Sequence, residues 1–168
     1  MEMPTQIVSA SYLSKIQLHR AGVILYCVIE GKVYFLFARD RRTYDLCDFG
    51  GHRDDHDPNA LATALREFRE ESGGIFAQHK VSLRQIALYD DNMAILFLPI
   101  ATDRYASVIK KFQHNIEVTA LCWIDEKQLQ TLVYHSNGQH EHLWSLTAKF
   151  LRGSVAHLCM LLKQLYIV

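Results

Sequence analysis

Long apolar runs broken by short polar stretches set the rhythm of this chain and predict most of its elements. Residues 1–20 are weakly patterned, with Ile7-Val8-Ser9-Ala10 suited to a short strand. Ala21 to Ile29 is nearly continuous in apolar residues, rich in β-branched and aromatic side chains, and Val33 to Ala38 repeats the pattern. Glu30-Gly31-Lys32 between them reads as a turn. The pair predicts a hairpin in a sheet covered on both faces, where strands lose their polar alternation. Arg39-Asp40-Arg41-Arg42 forms a basic exit, and Thr43 to Asp48 leads into the pair Gly50-Gly51. Asp57-Pro58 then offers an N-cap oxygen and a proline for the first helical position. Leu61, Leu65 and Phe68 recur at helical spacing, and Gly73-Gly74 end the helix.

Downstream, Val81 to Tyr89 and Met93 to Ile100 read as two strands joined at Asp90-Asp91-Asn92. Thr102 to Gln113 is either a short helix or a loop of the site. Glu117 to Ile124 predicts another strand, and Asp125 to Leu132 a helix with an acidic first turn. Tyr134 to His142 is a polar, His-rich loop. Leu143 to Tyr166 predicts one closing amphipathic helix, weakened at Gly153. No repeat, linker or low-complexity segment interrupts the pattern, so residues 1–168 are expected to form one mixed α/β domain.

Bulk properties narrow the function classes. Lys+Arg and Asp+Glu both total 18, so the formal net charge is zero. That argues against a protein that grips nucleic acid by bulk charge alone and leaves a local basic patch open. Cys27, Cys47, Cys122 and Cys159 have no close pairing and read as free thiols of a reducing compartment. No basic, apolar leader opens the chain and no run of about eighteen apolar residues occurs. A cytoplasmic protein with no membrane partner is expected, although one delivered into a host cell would look the same.

The candidate chemistry lies on the helix after the glycine pair. Arg66-Glu67-Phe68-Arg69-Glu70-Glu71 puts three carboxylates at i, i+3 and i+4, which share one helix face. Carboxylates that close repel unless a cation sits among them, and a hard ion, Mg²⁺ or Mn²⁺, prefers oxygen ligands. The glycine pair lets backbone approach the same spot. Arg66 stands four residues before Glu70, at ion-pair spacing. Loop, helix and acidic face together read as a site for metal-assisted diphosphate hydrolysis.

This stretch resembles the box of the Nudix hydrolases, G-x5-E-x7-R-E-U-x-E-E-x-G-U, where U is bulky and apolar. Gly51, Arg66, Glu67, Phe68, Glu70, Glu71 and Gly73 match. Gly74 stands where an apolar residue is usual, with Ile75 one later; Asp57 replaces the first Glu, and the stretch before Arg66 is one residue longer. Asp57 is therefore read as an N-cap more than a ligand. The hairpin before the box, and Asn115-Ile116-Glu117 followed by Trp123-Ile124, are similar to family patterns, so the resemblance covers about residues 20 to 135. It implies a Nudix-type α/β/α sandwich with a mixed β-sheet between helices. It also implies Mg²⁺-dependent (or Mn²⁺-dependent) hydrolysis of a diphosphate linkage in a small nucleotide. The metal ligands it implies are Glu67, Glu70, Glu71, Glu117 and the Gly51 carbonyl. Glu117 and Glu70 are the candidate bases, and Arg66 orients a carboxylate.

Around that centre, Arg39, Arg41, Arg42, His52 and Lys110 are candidate contacts for substrate phosphates. A solvated basic surface is the competing reading for the arginines and for Lys110-Lys111. His56 also lies in the loop, while His135, His140 and His142 show no ligand spacing. Tyr44, Phe49 and Trp144 could stack on a base, with core packing as the default. Two other functions fit less of the sequence. Decapping of capped RNA is suggested by Asn115 to Ile124 but lacks a long basic extension. A nucleotide-binding module without turnover is disfavoured by the three retained glutamates. The apolar face of the closing helix would suit a homodimer.

Overall fold

The computed structural model describes residues 5–74, 81–115, 117–134 and 142–166. Its first elements are β1 (Gln6–Ser9), α1 (Ala10–Leu13), β2 (Arg20–Ile29), β3 (Lys32–Asp40), β4 (Leu46–Cys47), β5 (Phe49–His52) and α2 (Ala60–Glu71). There follow β6 (Ile86–Tyr89), β7 (Met93–Pro99), α3 (Tyr105–Lys111), β8 (Val118–Asp125), α4 (Glu126–Tyr134), α5 (Ser145–Leu151) and α6 (Val155–Leu165). The α/β class expected from the pattern is what forms. The chain divides into two compact units, Met1–Ile24 with Asp48–Leu98 and Leu25–Cys47 with Pro99–Val168, so β2 is cut between them.

In the first unit, β1 pairs antiparallel with β6, placing Ile7 opposite Leu88, and β6 turns into β7. Asp90 Oδ1 accepts the N–H groups of Asn92 and Met93 and fixes that turn. β5 pairs antiparallel with the first part of β2, with Gly22 opposite Gly50 and Ala21 opposite Gly51. α2 packs on β5, where the Phe68 ring meets Phe49 edge-on at 5.6 Å. Residues 93–98 are buried throughout, as a strand covered on both faces requires. Only Ile86–Tyr89 of the expected strand from Val81 forms. Its polar first half turns instead, with Gln85 N–H donating to the Ser82 carbonyl and Ser82 Oγ accepting from Arg84 N–H.

The second unit is built on the hairpin of β2 and β3, where Leu25 faces Leu36. Glu30 and Gly31 both take positive φ, 51° and 75°, as a tight hairpin turn needs, and this draws Lys32 into the strand. β3 also pairs with β4 and, along most of its length, with β8; the register slips at Arg39/Asp40. α4 begins one residue later than expected. Asp125 caps it, accepting from Gln128 N–H at 2.8 Å while Gln128 Oε1 accepts from Asp125 N–H at 2.9 Å. Thr102 to Gln113 is helical in its middle, as α3 after a turn at Thr102–Arg104. The single closing helix is corrected to two. Gly153 takes φ 85°, a left-handed conformation that stops α5 before α6 starts.

All four cysteines are free. Burial pushes the Cys27 thiol up to about 11 and the Cys159 thiol up to about 12, which makes both inert as nucleophiles. Among the described residues no helix is long and apolar enough to cross a membrane.

Candidate active site

The loop between β5 and α2 is organised by Asp57. Asn59, not Asp57, caps the helix: its side chain accepts from Ala62 N–H at 2.9 Å, and Ala60 rather than Pro58 opens the helix. The expected capping role of Asp57 is therefore corrected. Its carboxylate is buried, 6 % exposed, and collects donors from the whole loop. Asp54 N–H reaches it at 2.9 Å, the Thr63 hydroxyl at 3.0 Å, and Arg66 through Nε at 3.0 Å and Nη2 at 3.0 Å. The Arg66 hydrogen bonds hold the Asp57 carboxyl at about 2, and the same contact pushes the Arg66 guanidinium above its ordinary range. Asp54 to Asp57 form a turn within this loop, in which Asp57 N–H donates to the Asp54 carbonyl.

Arg66 spends its remaining donors on the site. Nη2 donates to the His52 carbonyl at 2.9 Å, and Nη1 to Glu67 Oε1 at 3.1 Å and Glu70 Oε2 at 3.2 Å. No guanidinium N–H is left without an acceptor. Arg66 is thus ion-paired with Glu67 and, at the i to i+4 spacing, with Glu70, with no donor over for a substrate phosphate.

Two carboxylates are drawn against the glycine pair. Gly50 N–H donates to Glu71 Oε2 at 2.9 Å. A Cβ at Gly51 would lie 2.5 Å from the Glu67 carboxyl carbon, so only glycine admits Glu67 this close to the strand. One oxygen each of Glu67 and Glu71 lie within 4.8 Å of one another. That spacing and an all-oxygen donor set fit a hard divalent ion, which would also relieve the repulsion between them. Glu70 stands apart, its side chain 59 % exposed and paired with Arg66.

The remaining candidates are placed as follows. Glu117 is exposed just before β8; its N–H donates to Asn115 Oδ1 at 2.9 Å, and its carbonyl accepts from Arg41 N–H at 2.9 Å. Arg39 is half-buried and donates to the Tyr44 carbonyl and to Cys122 Sγ. Arg42 and Lys110 are exposed, and so are the side chains of His52 and His56. Tyr44 is 63 % exposed with φ 62°, whereas Phe49 lies in the core. His135 and His140 fall outside the described residues; half-buried His142 accepts from Leu46 N–H through its carbonyl.

A loop–helix carrying paired glutamates against a glycine strand can be compared with known folds. A crystal structure of a C. elegans Ap4A hydrolase is similar over 84 % of this chain and 97 % of its own, at 17 % identity and a TM-score of 0.52. A structure from Listeria monocytogenes described as a Nudix hydrolase is similar over 88 % of this chain and 96 % of its own, at 13 % identity and a TM-score of 0.52. The chain has the Nudix fold. No protein-family model and no curated protein sequence matches it.

Within this Nudix fold, one buried pair has no counterpart in the sequence reading. Arg20 and Asp48 form a bidentate ion pair, both contacts 2.9 Å, with side chains 10 % and 0 % exposed. Asp48 Oδ2 occupies the space where a Cβ of Gly22 or Gly50 would stand, 1.9 and 2.2 Å away. The pair thus fixes β5 on β2 and sets where Gly50 and Gly51 present themselves to α2. Its sequence signal was an acid between two apolar residues, half-buried Cys47 and buried Phe49, and a glycine inside the apolar run of β2. The clamp of Asp57 on Arg66 was equally missed, because its partners stand nine positions apart and Asp57 occupies a cap-like place ahead of the helix.

Proposed function

We propose that this protein is an Mg²⁺-dependent pyrophosphohydrolase (Mn²⁺ serving as well) acting on a small nucleotide, a nucleoside diphosphate linked to another group. The observation that carries the reading is the Glu67–Glu71 pair seated on Gly50-Gly51 in a Nudix fold. In this reading Glu67, Glu71 and the Gly51 carbonyl hold the ion, and Glu117 and Glu70 complete its surroundings. The bound ion neutralises phosphate oxygens and lowers the pKa of water beside them. Glu117 takes the proton from the attacking water: its main chain is anchored and its carboxylate exposed, whereas Glu70 is engaged by Arg66. Water oxygen bonds to phosphorus, the bridging P–O bond breaks, and its electron pair leaves with the departing phosphate. Arg66 keeps Glu67 and Glu70 oriented through both states. Arg39, Arg42 and Lys110, for their charge, and His52, for its exposed ring nitrogens, are assigned to the substrate's phosphates.

Among solved structures with this fold is an Ap4A hydrolase, so dinucleoside polyphosphates head the panel. Nucleotide sugars, ADP-ribose and altered nucleoside triphosphates follow. The protein is incubated with each in Mg²⁺, with a chelator, and as Glu67→Gln and Glu70→Gln, and products are identified by mass spectrometry. Mononucleotide release that the chelator and both variants abolish is expected. Nucleotide retained without release on every substrate would overturn the reading in favour of a binding module. Release of methylated guanosine diphosphate from capped RNA only would replace it with decapping.

A further inference from the structure

Arg41 follows the register slip at the end of β3 and turns its polar groups toward the segment that leads into β8. Its main-chain N–H donates to the Glu117 carbonyl at 2.9 Å. Its Nε donates to the Asn115 carbonyl at 2.8 Å, and its Nη2 stands 3.1 Å from His114 Nδ1. Asn115 ties the same segment from inside. Its Oδ1 accepts from Glu117 N–H and Val118 N–H, both at 2.9 Å, and its own N–H donates to the Val118 carbonyl at 2.9 Å. Glu117 therefore has its main-chain N–H and carbonyl both bound while its carboxylate stays exposed. A strand-entrance residue held only by its neighbours would sample many directions, and every one of those would cost the geometry of proton transfer.

We propose that Arg41 is a positioning residue: it holds His114, Asn115 and the Glu117 main chain so that the Glu117 carboxylate is presented in one direction for the reaction. The role rests on the assignment of Glu117 as the base. It differs from a contact with substrate phosphate, for which the charge alone would suffice. The planar guanidinium serves the Asn115 carbonyl and His114 at once, which the single ammonium of lysine cannot do in the same geometry.

The test compares kcat, KM and the Mg²⁺ concentration for half-maximal rate in five proteins, on the best substrate of the wild type. These are Arg41→Ala, Arg41→Lys, Asn115→Ala, Glu117→Gln and the double variant Arg41→Ala/Glu117→Gln. Arg41→Ala, Arg41→Lys and Asn115→Ala are each expected to lower kcat by about ten- to a hundredfold, with KM within about twofold of wild type. In the Glu117→Gln background Arg41→Ala is expected to cost nothing further, because the group it positions is gone. The proposal is overturned if Arg41→Ala raises KM at unchanged kcat, has no effect, or costs the same factor with Glu117 already replaced. Rescue by Arg41→Lys overturns it as well, since charge would then be what matters. Full activity in Glu117→Gln alone would instead remove the assignment of Glu117, a failure read without any Arg41 variant. Arg41→Lys, which keeps charge and exposure, carries the comparison if Arg41→Ala does not fold.

Discussion

Replacing Asp57 by asparagine keeps the shape of the loop and removes the charge that Arg66 leans on. A carboxyl held at about 2 rather than its ordinary 3.8 reports an interaction worth about 2 kcal/mol in favour of the charged, folded form. The pKa is depressed in the folded state, so this contribution is complete above pH 3.8 and fades as the pH falls toward 2. Loss of a buried partner can cost more than that. Here Arg66 is 28 % exposed and keeps Glu67 and Glu70, which holds the cost near the lower figure. Asp57→Asn is therefore expected to lose about 2 kcal/mol at pH 7, a fall in melting temperature of about 4–8 °C for a chain of this size. Urea unfolding at a series of pH values between 7 and 2 measures both features. The wild type should lose stability more steeply than the variant across the acid window, and the two curves should converge near pH 2. A variant less than about 0.5 kcal/mol weaker at pH 7, or one with an unchanged acid limb, would refute the account of Asp57 as the anchor of Arg66.

Three further outcomes follow from the geometry. Gly51→Ala forces the Glu67 carboxylate away from the strand, so the rate should fall by about tenfold or more while stability changes by less than about 1 kcal/mol; the opposite split between assay and melt would count against the seat. Arg20→Met strands the buried Asp48 and should cost about 3–5 kcal/mol in urea unfolding, with Asp48→Asn added to it recovering part; a loss below about 1 kcal/mol would mean the pair is not what holds β5. Gly153→Ala meets no neighbouring atom within 4 Å, so its cost should be that of the left-handed backbone alone, about 1–2 kcal/mol, at unchanged helix content by circular dichroism; fusion of α5 and α6 into a longer helix would show the break is not enforced there.

What the pattern made legible was whatever depends on neighbours along the chain. The apolar runs of β2, β3 and β7 announce two-sided burial by themselves, and Glu67, Glu70 and Glu71 share a face through helical geometry alone. Errors came where a residue's partner is distant or where two local signals compete. Asp57-Pro58 is a sound cap by local rules, but Asn59 offers one two residues later, and the helix uses it because Arg66 and Thr63 claim Asp57. Gly153 counts as one weak position in a helical run until its backbone is known to be left-handed. The Arg20–Asp48 pair spans 28 residues and leaves no periodic trace. Nor does charge reveal direction: Arg39, Arg41 and Arg42 look alike in sequence, yet two have guanidinium groups turned to carbonyl oxygens of the chain itself.

The Asp57–Arg66 clamp also bears on the order in which this chain assembles. Its contacts close loops of 9 and 14 residues, and the Gly50–Glu71 bond one of 21. By contrast, β1 reaches its partner β6 across 83 residues. Closing the longest of these rather than the shortest costs about 2 kcal/mol more in chain entropy. The loop and helix that carry the glutamates can thus draw together as a local nucleus while the strand partners of β1 are still unmade, and the seat of Glu67 and Glu71 would be among the earliest native structure on the folding pathway.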